Sequence, residues 1–288
     1  MNNYTIFTDS GCDLSQEVLE QWNIKYCCLS FIFDNDEHIC YNYDLPTEEF
    51  YQKMRDGHIA KTSGVNVDKF KDAFTEELKN GNDILYLGFS SGLSVTYSCA
   101  HSAAEELRVE FPDRKIITID TLSASGGLGL LVYLAKEKRD EGADIDKAAD
   151  YIKELIPKIC HWYTVEDLVY LKRGGRISPA VAMIGGVLGI KPVMHMDNEG
   201  HLVNISKARG RNASLKALVD KYGELALNPS DSTIFISHGD CIDDAKKVAS
   251  MIEQKYGTST DLITNVGPVI GAHAGPGTIA LFFIGKER

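Results

Sequence analysis

The stretch DILYLGFSSGLSVTYSCA, residues 83–100, begins as a β-rich apolar run, breaks at Gly88 and Gly92, and continues with helical spacing. A strand that feeds a helix through a short turn is the building unit of a parallel sheet, because a parallel neighbour can be reached only by a crossover. The same change of period recurs on both sides. YTIFTDS (4–10) precedes an amphipathic stretch at 15–23, and the single run IKYCCLSFIF (24–33) precedes helical patterns at 47–56 and 66–80. KIITID (115–120) precedes another at 123–140. Asn66 and Thr47, which follows Pro46, mark helix starts; Gly81 and Gly142 sit where stops are expected. Residues 1–159 therefore read as an α/β lobe with a parallel sheet.

Beyond the helical stretch 144–157 the texture changes. GIKPVMHMDNEGHLVNISKAR (189–209) reads as two strands joined by an Asp-Asn-Glu-Gly turn, a hairpin signal absent from the first half. A helix at 209–226, the strand STIFISH, a helix at 243–256 and the strands TDLITNV and TIALFFIG follow. Residues 160–288 thus read as a second α/β lobe with a mixed sheet. A chain of 288 residues is long enough for two such lobes and for a core that encloses a small molecule.

Charge removes several function classes. With 41 acidic against 30 basic residues the net charge is -11, and such a field repels nucleic acid. The local exception is LKRGGR, where Lys172, Arg173 and Arg176 surround two glycines; it reads as a solvated loop or as a place to meet a phosphate or an acidic partner. The 7 cysteines show no C-x-x-C and no zinc-type spacing, the pattern of a reduced cytoplasmic chain. No signal-peptide pattern opens the chain, and its longest apolar run, GGLGLLVYLA at 126–135, is too short for a membrane span. No metal site is expected: His238, Asp240 and Cys241 in SHGDC read as a loop after a strand. Asp9 and Ser10 read as a turn, and SASGGLGL (123–130) as close helix packing in place of a nucleotide fingerprint.

Two chemistries compete for the turn at 88–94. Gly88-Phe89-Ser90-Ser91-Gly92 fits G-x-S-x-G between a strand and a helix, the context of a nucleophile elbow. A serine hydrolase (esterase or thioesterase) would pair Ser90 with His273, with Asp240 or Asp243 as orienter. No His-Gly-Gly-Gly-like oxyanion stretch precedes the serine, however, and the hairpin-bearing second half does not extend a hydrolase sheet. The other chemistry follows from the unpaired N–H groups at a helix start, which hold anions. Here Ser94 stands at or beside an N-cap, and Gly92 lets the backbone bend around a ligand. KTSGVNVD repeats the arrangement, with Thr62 and Ser63 before a second helix. In both stretches the hydroxyls also read simply as caps of their own helices.

In order, TDSGCDLS (8–15), KTS (61–63), SSGLSVTY (90–97), IDTLSASGGLGLLV (119–132), LKRGGRIS (171–178), GIKPV (189–193) and GAHAGPGT (271–278) make the whole chain resemble the DegV family, the fatty-acid-binding subunits of bacterial fatty acid kinase. The resemblance implies a long-chain fatty acid held in the cleft between two lobes, its carboxylate gripped by Thr62 and Ser94 with His273 near the same head group, and Ser63, Ser91 and Gly92 in the vicinity. It implies no cofactor and no catalysis by this chain alone. A separate ATP-binding kinase subunit, approaching the face with Arg173 and Arg176, would convert the acid to an acyl phosphate; transient membrane contact is a further expected interaction. An anion beside His273 would favour the charged imidazole. VAMIGGVLGIKPVM, with Gly185, Gly186 and Gly189, is the expected wall for the acyl tail. The family pattern T-S-Q-P-S is replaced by Thr62-Ser63-Gly64-Val65-Asn66, which implies a looser loop, and Val95 stands where Gly is common, beside the anion.

Overall fold

In the computed structural model, which describes residues 4–34, 36–177 and 189–288, the period change at 83–100 becomes β6 (Asp83–Gly88) followed by α4 (Thr96–Glu110). With β1 (Tyr4–Asp9), β2 (Ile24–Cys27) and β7 (Ile116–Asp120) it forms a parallel sheet in the order β2-β1-β6-β7. Helix α1 (Gln16–Gln21) starts at Ser15, whose hydroxyl accepts the Val18 N–H at 3.3 Å. Helix α3 (Val67–Lys79) starts at the expected Asn66, whose side chain accepts the Lys69 N–H at 2.9 Å. Gly81 and Gly142 have φ of 83° and 88°, the left-handed geometry that ends a helix cleanly.

The run 24–33 is not one strand. Its chain leaves the parallel sheet after β2, where the Leu29 N–H is taken by the Ser10 hydroxyl at 2.9 Å, and β3 (Ser30–Phe33) joins a separate antiparallel sheet. Its partners are β4 (Cys40–Tyr41) and β5 (Ala60–Ser63). Strand β5 is the Lys-Thr-Ser segment, which lacks any apolar alternation and so carries no strand signal in sequence. What fixes it is tertiary: Phe31 and Phe33 of β3 pack on Phe50 of α2 (Thr47–Arg55), with ring centroids 5.2 and 5.5 Å apart, and the backbone of β3 then pairs with β5.

The second sheet is mixed, as expected, in the order β10-β9-β8-β13-β11-β12. It comprises β8 (Ile159–Thr164), β9 (Ile190–Met196), β10 (Leu202–Arg209), β11 (Ile234–His238), β12 (Leu262–Asn265) and β13 (Ile279–Ile284), with only β11 and β12 parallel. The β9–β10 hairpin turns at Asp197–Gly200, where Gly200 has φ 77°. Along β13 the pleat sends Ile279, Leu281 and Phe283 into a core shared with α8 (Arg211–Leu225) and α9 (Ile242–Tyr256), and turns Ala280 and Phe282 toward the first lobe.

Between the lobes lies α5 (Gly126–Asp140), preceding α6 (Ile145–Leu155). Leu128, Leu130, Leu131 and Val132 of α5 are fully buried. A helix apolar all round is one covered on all sides, and each such side chain contributes about 1.5–3 kcal/mol of burial. Its glycines permit close packing, as the sequence suggested: a Cβ at Gly126 would lie 2.8 Å from the Phe282 ring, and one at Gly127 2.2 Å from His161 Nε2. One connection crosses back. After β12 the chain forms α10 (Pro268–Ala274), unanticipated from sequence, which packs on α2, β3 and β5. The described helices include α7 (Val169–Arg173) as well, and none of the described helices is long and apolar enough to cross a membrane.

Candidate functional site

His273 stands in the last turn of α10, a helix anchored from a distance. Pro268 occupies its first turn, the Gly267 N–H donates to Asp13 Oδ1 at 2.9 Å, and the Val269 N–H donates to Asn42 Oδ1 at 3.0 Å. Gly275 and Gly277, with φ of 82° and 79°, turn the chain into β13. This path carries His273 to β5, where its Nε2 lies 2.7 Å from Thr62 Oγ1 across 211 residues of sequence. Its Nδ1 has no partner among the described residues and rests on Gly174, where a Cβ would fall 2.0 Å away.

The charged His273 is expected beside an anion, and the chain's own groups act in the opposite direction. Burial, and then the Arg176 guanidinium, push its pKa down to about 4, so the imidazole is neutral near pH 7. The carboxylate that would favour the imidazolium is not part of the chain itself.

Ser94 faces the same space. Its hydroxyl shares a hydrogen bond with Thr96 Oγ1 at 2.9 Å and accepts the Thr96 N–H at 3.2 Å. Helix α4 begins at Thr96 with Val95 as its cap residue, so Ser94 lies just before the cap and not on it. A local bond to the first residue of α4 and a place on the cavity are thus combined in one residue. Gly64, expected to loosen its loop, is where the two hydroxyl-bearing segments touch: a Cβ there would fall 2.8 Å from Thr96 Oγ1 and 3.3 Å from Ser94 Oγ. Gly92, expected to bend around a ligand, also lets the second lobe approach, since a Cβ would lie 2.8 Å from the carbonyl oxygens of Glu199 and Gly200. Val95 is 67% exposed at the rim.

These residues, with Ser63 and Ser91, border one cavity of about 480 Å³. Its polar end holds Thr62, Ser94, His273 and Arg176; beyond lie Phe89, Ala124, Tyr163, Met196, Ala280 and Phe282. The second-lobe sheet supplies one side of that wall, through Tyr163 of β8, Met196 of β9, and Ala280 and Phe282 of β13, while Phe89, Ala124 and the α10 residues Val269 and Ile270 supply the rest. Sequence reasoning missed the strand residues, because a strand buried on both faces reads as core. It also missed His161, which borders the cavity, donates from Nδ1 to Ile159 O at 3.1 Å, and is held neutral by burial and by Arg288. Gly185 and Gly186 of the expected tail wall lie outside the described residues; Gly189, with φ 78°, leads into β9.

The basic loop divides. Arg176 turns inward, donating to Leu93 O at 3.2 Å and Gly174 O at 2.5 Å. Arg173 is exposed, its guanidinium 5.7 Å from the Tyr170 ring centroid, and Lys172 is exposed beside it. The two arginines therefore do not share one face.

The elbow geometry is not that of a hydrolase. Ser90 is fully buried, donates to Gly200 O at 3.0 Å and accepts the Gly92 N–H at 3.2 Å, which makes it a tie between turn and hairpin. Asp240 pairs with Arg55 at 2.5 Å, and His273 is engaged with Thr62. Asp243 lies in the first turn of α9. Among the described residues no hydrogen bond links Ser90, His273 and either aspartate. Asp9 is likewise structural: its carboxylate accepts from Tyr86 Oη (2.6 Å), Phe89 N (2.9 Å) and Gly11 N (3.0 Å), and burial pushes its pKa up to about 6.

Comparison with known proteins adds a family to this geometry. A family model described as an uncharacterised protein of the DegV family, COG1307, matches residues 3–286. A DegV domain-containing protein of Clostridium perfringens is 44% identical over 100% of this chain and 99% of its own. A structure reported as fatty acid binding of a DegV family protein from Thermus thermophilus superposes with a TM-score of 0.88 at 27% identity, covering 98% of this chain and 99% of that one. A stearic-acid-binding protein from Eubacterium ventriosum gives a TM-score of 0.88 at 27% identity, covering 98% of both chains.

Proposed function

The chain belongs to the DegV family, and from that premise we propose that it binds a long-chain fatty acid in the interlobe cavity and presents the carboxylate to a separate ATP-dependent kinase subunit. The observation that carries the reading is one cavity of about 480 Å³ that joins a small polar mouth, centred on the 2.7 Å contact of Thr62 with His273, to an apolar chamber. An amphiphile with one anionic end fits such a site.

Magnitudes assign the parts. A buried chain of about sixteen carbons, at roughly 0.8 kcal/mol per methylene, supplies on the order of 10 kcal/mol before ordering costs. Each hydrogen bond to a carboxylate adds about 1.5–3 kcal/mol. The tail sets affinity, and Thr62, Ser94 and His273 set where the carboxylate stops. Hydroxyl donors suit this task because they hold a carboxylate without neutralising it, which leaves an oxygen able to attack a γ-phosphate, with ADP departing and an acyl phosphate formed. The carboxylate also favours the imidazolium form of His273, so binding takes up a proton. The chain acts as a cytoplasmic carrier that catalyses nothing alone and needs no cofactor. Its exposed Arg173 belongs to the face the kinase subunit approaches, and loading involves transient contact with a membrane.

Native mass spectrometry of the purified protein tests the reading. A retained adduct with the mass of a fatty acid of roughly 14 to 18 carbons is expected. Absence of any lipid after gentle purification, together with labelling of Ser90 by an activity-based phosphonate, would favour the hydrolase instead.

A further inference from the structure

Asp13 borders neither end of the cavity, yet it is bonded to an element of each. It is 3% exposed, with its backbone in the left-handed region at φ 53°. One carboxylate oxygen accepts the Gly267 N–H at the start of α10 (2.9 Å), and the other accepts the Ser125 hydroxyl at the start of α5 (2.5 Å). Its carbonyl accepts the Thr264 hydroxyl at 2.7 Å, gripping the end of β12 from which α10 departs.

This one side chain joins both partners, each of which has one further anchor: Asn42, accepting the Val269 N–H, for α10 and Gly11 O for Ser125. Gly267 has no side chain with which to cap α10, and a Cβ there would meet Asn42 Nδ2 at 2.7 Å and Asp13 Oδ1 at 3.0 Å; the cap is supplied from the first lobe. Ser125, which borders the cavity, has φ 53° and ψ −143°, a conformation that L-residues avoid unless the surroundings impose it. Two bonds hold it there, from its N–H to Gly11 O at 2.7 Å and from its hydroxyl to Asp13. Among the described residues the carboxylate has no cation among its charge partners: Cys12, Tyr43 and Tyr51 are the titratable groups that feel it. An acid kept in such surroundings is there for the hydrogen bonds it accepts.

We infer that Asp13 is the positioning residue of the ligand site, fixing α10 so that His273 meets Thr62 and fixing the α5 start that borders the chamber. Its role in ligand binding rests on the fatty-acid reading; its role in placing His273 does not. Asp13→Asn keeps the size of the side chain and weakens its acceptor set, while Ser125→Ala removes one bond from the other side.

The His273 imidazole is followed by NMR titration in the ligand-free protein, and stearate binding is measured by calorimetry. The wild-type imidazole is expected to titrate at about 4. In both folded variants α10 loosens, water reaches the ring, and the midpoint moves by about one unit toward 6.5. Stearate binding weakens about tenfold in Asp13→Asn, and the loss vanishes when measured in a His273→Ala background. An unchanged His273 midpoint in a folded Asp13→Asn protein overturns the inference, as does a binding loss that is the same with and without His273. A wild-type protein that binds no stearate counts against the fatty-acid reading, while the titration still decides the role of Asp13.

Discussion

The two ends of the cavity are built in opposite ways. The polar end gathers Thr62, Ser94, Arg176 and His273 from four separate segments, each held by hydrogen bonds or by a glycine that lets neighbours approach. The apolar end is backed on one side by a continuous surface, the inner face of β8 and β13 with Tyr163, Ala280 and Phe282, and needs only apolar bulk, such as Phe89 and Val269, on the other. On the proposed reading, position is the product of the first and affinity of the second, so damage to each should read out differently.

The largest effect is expected from filling the chamber. Ala280→Trp, directed inward from β13, should displace roughly four methylenes of a bound chain, about 3 kcal/mol or a hundredfold in Kd by calorimetry. Thr62→Ala combined with Ser94→Ala should cost less, about 2 kcal/mol, because a carboxylate at the mouth can be hydrated instead, but should abolish phosphorylation by the kinase subunit. If the hydroxyl pair costs more binding than the filled chamber, the division of labour is reversed.

The buried acids give a stability signature belonging to the frame behind the site. Burial raises Asp9 to about 6 and Asp13 to about 8, so the native state holds their protons more tightly than the unfolded chain does. Their contribution is fully present below the ordinary aspartate range and is lost as pH rises through 6 and 8. His273, lowered to about 4, acts in the opposite sense, contributing above its ordinary value of 6.5 and losing that contribution as pH falls toward 4. Asp13→Asn should therefore flatten the decline in Tm between pH 6 and 8 seen for the wild type; an equally steep decline in the variant would remove Asp13 as its source.

The smallest effect on binding is expected from Arg173→Ala. Its side chain is exposed, unlike that of Arg176, so stearate affinity should stay unchanged while phosphorylation falls. Parallel loss of both would assign Arg173 to the pocket.

How much of this was legible in the sequence follows the same contrast. Alternating periods revealed the parallel sheet, and the Asp197–Gly200 turn revealed the hairpin and with it the mixed sheet. Polar motifs singled out Thr62, Ser94 and His273, since hydroxyls and histidines stand out from their neighbours. Strand β5 and helix α10 were not legible: the first has no apolar alternation, and the second owes its start to Asp13 and Asn42, each more than 200 residues away in the chain. The role of Gly64 was misread for the same reason, because its neighbours Ser94 and Thr96 belong to another segment. The chamber residues were hidden by their resemblance to core, since an apolar side chain facing a cavity is the same in sequence as one facing a helix.

A crystal structure of the protein with stearate decides where the carboxylate and the chain lie. The carboxylate is expected within hydrogen-bond distance of Thr62 Oγ1 and Ser94 Oγ, beside His273, with the chain running over Ala280 and Phe282. A carboxylate bound elsewhere, or a chain lying outside the interlobe cavity, would contradict it.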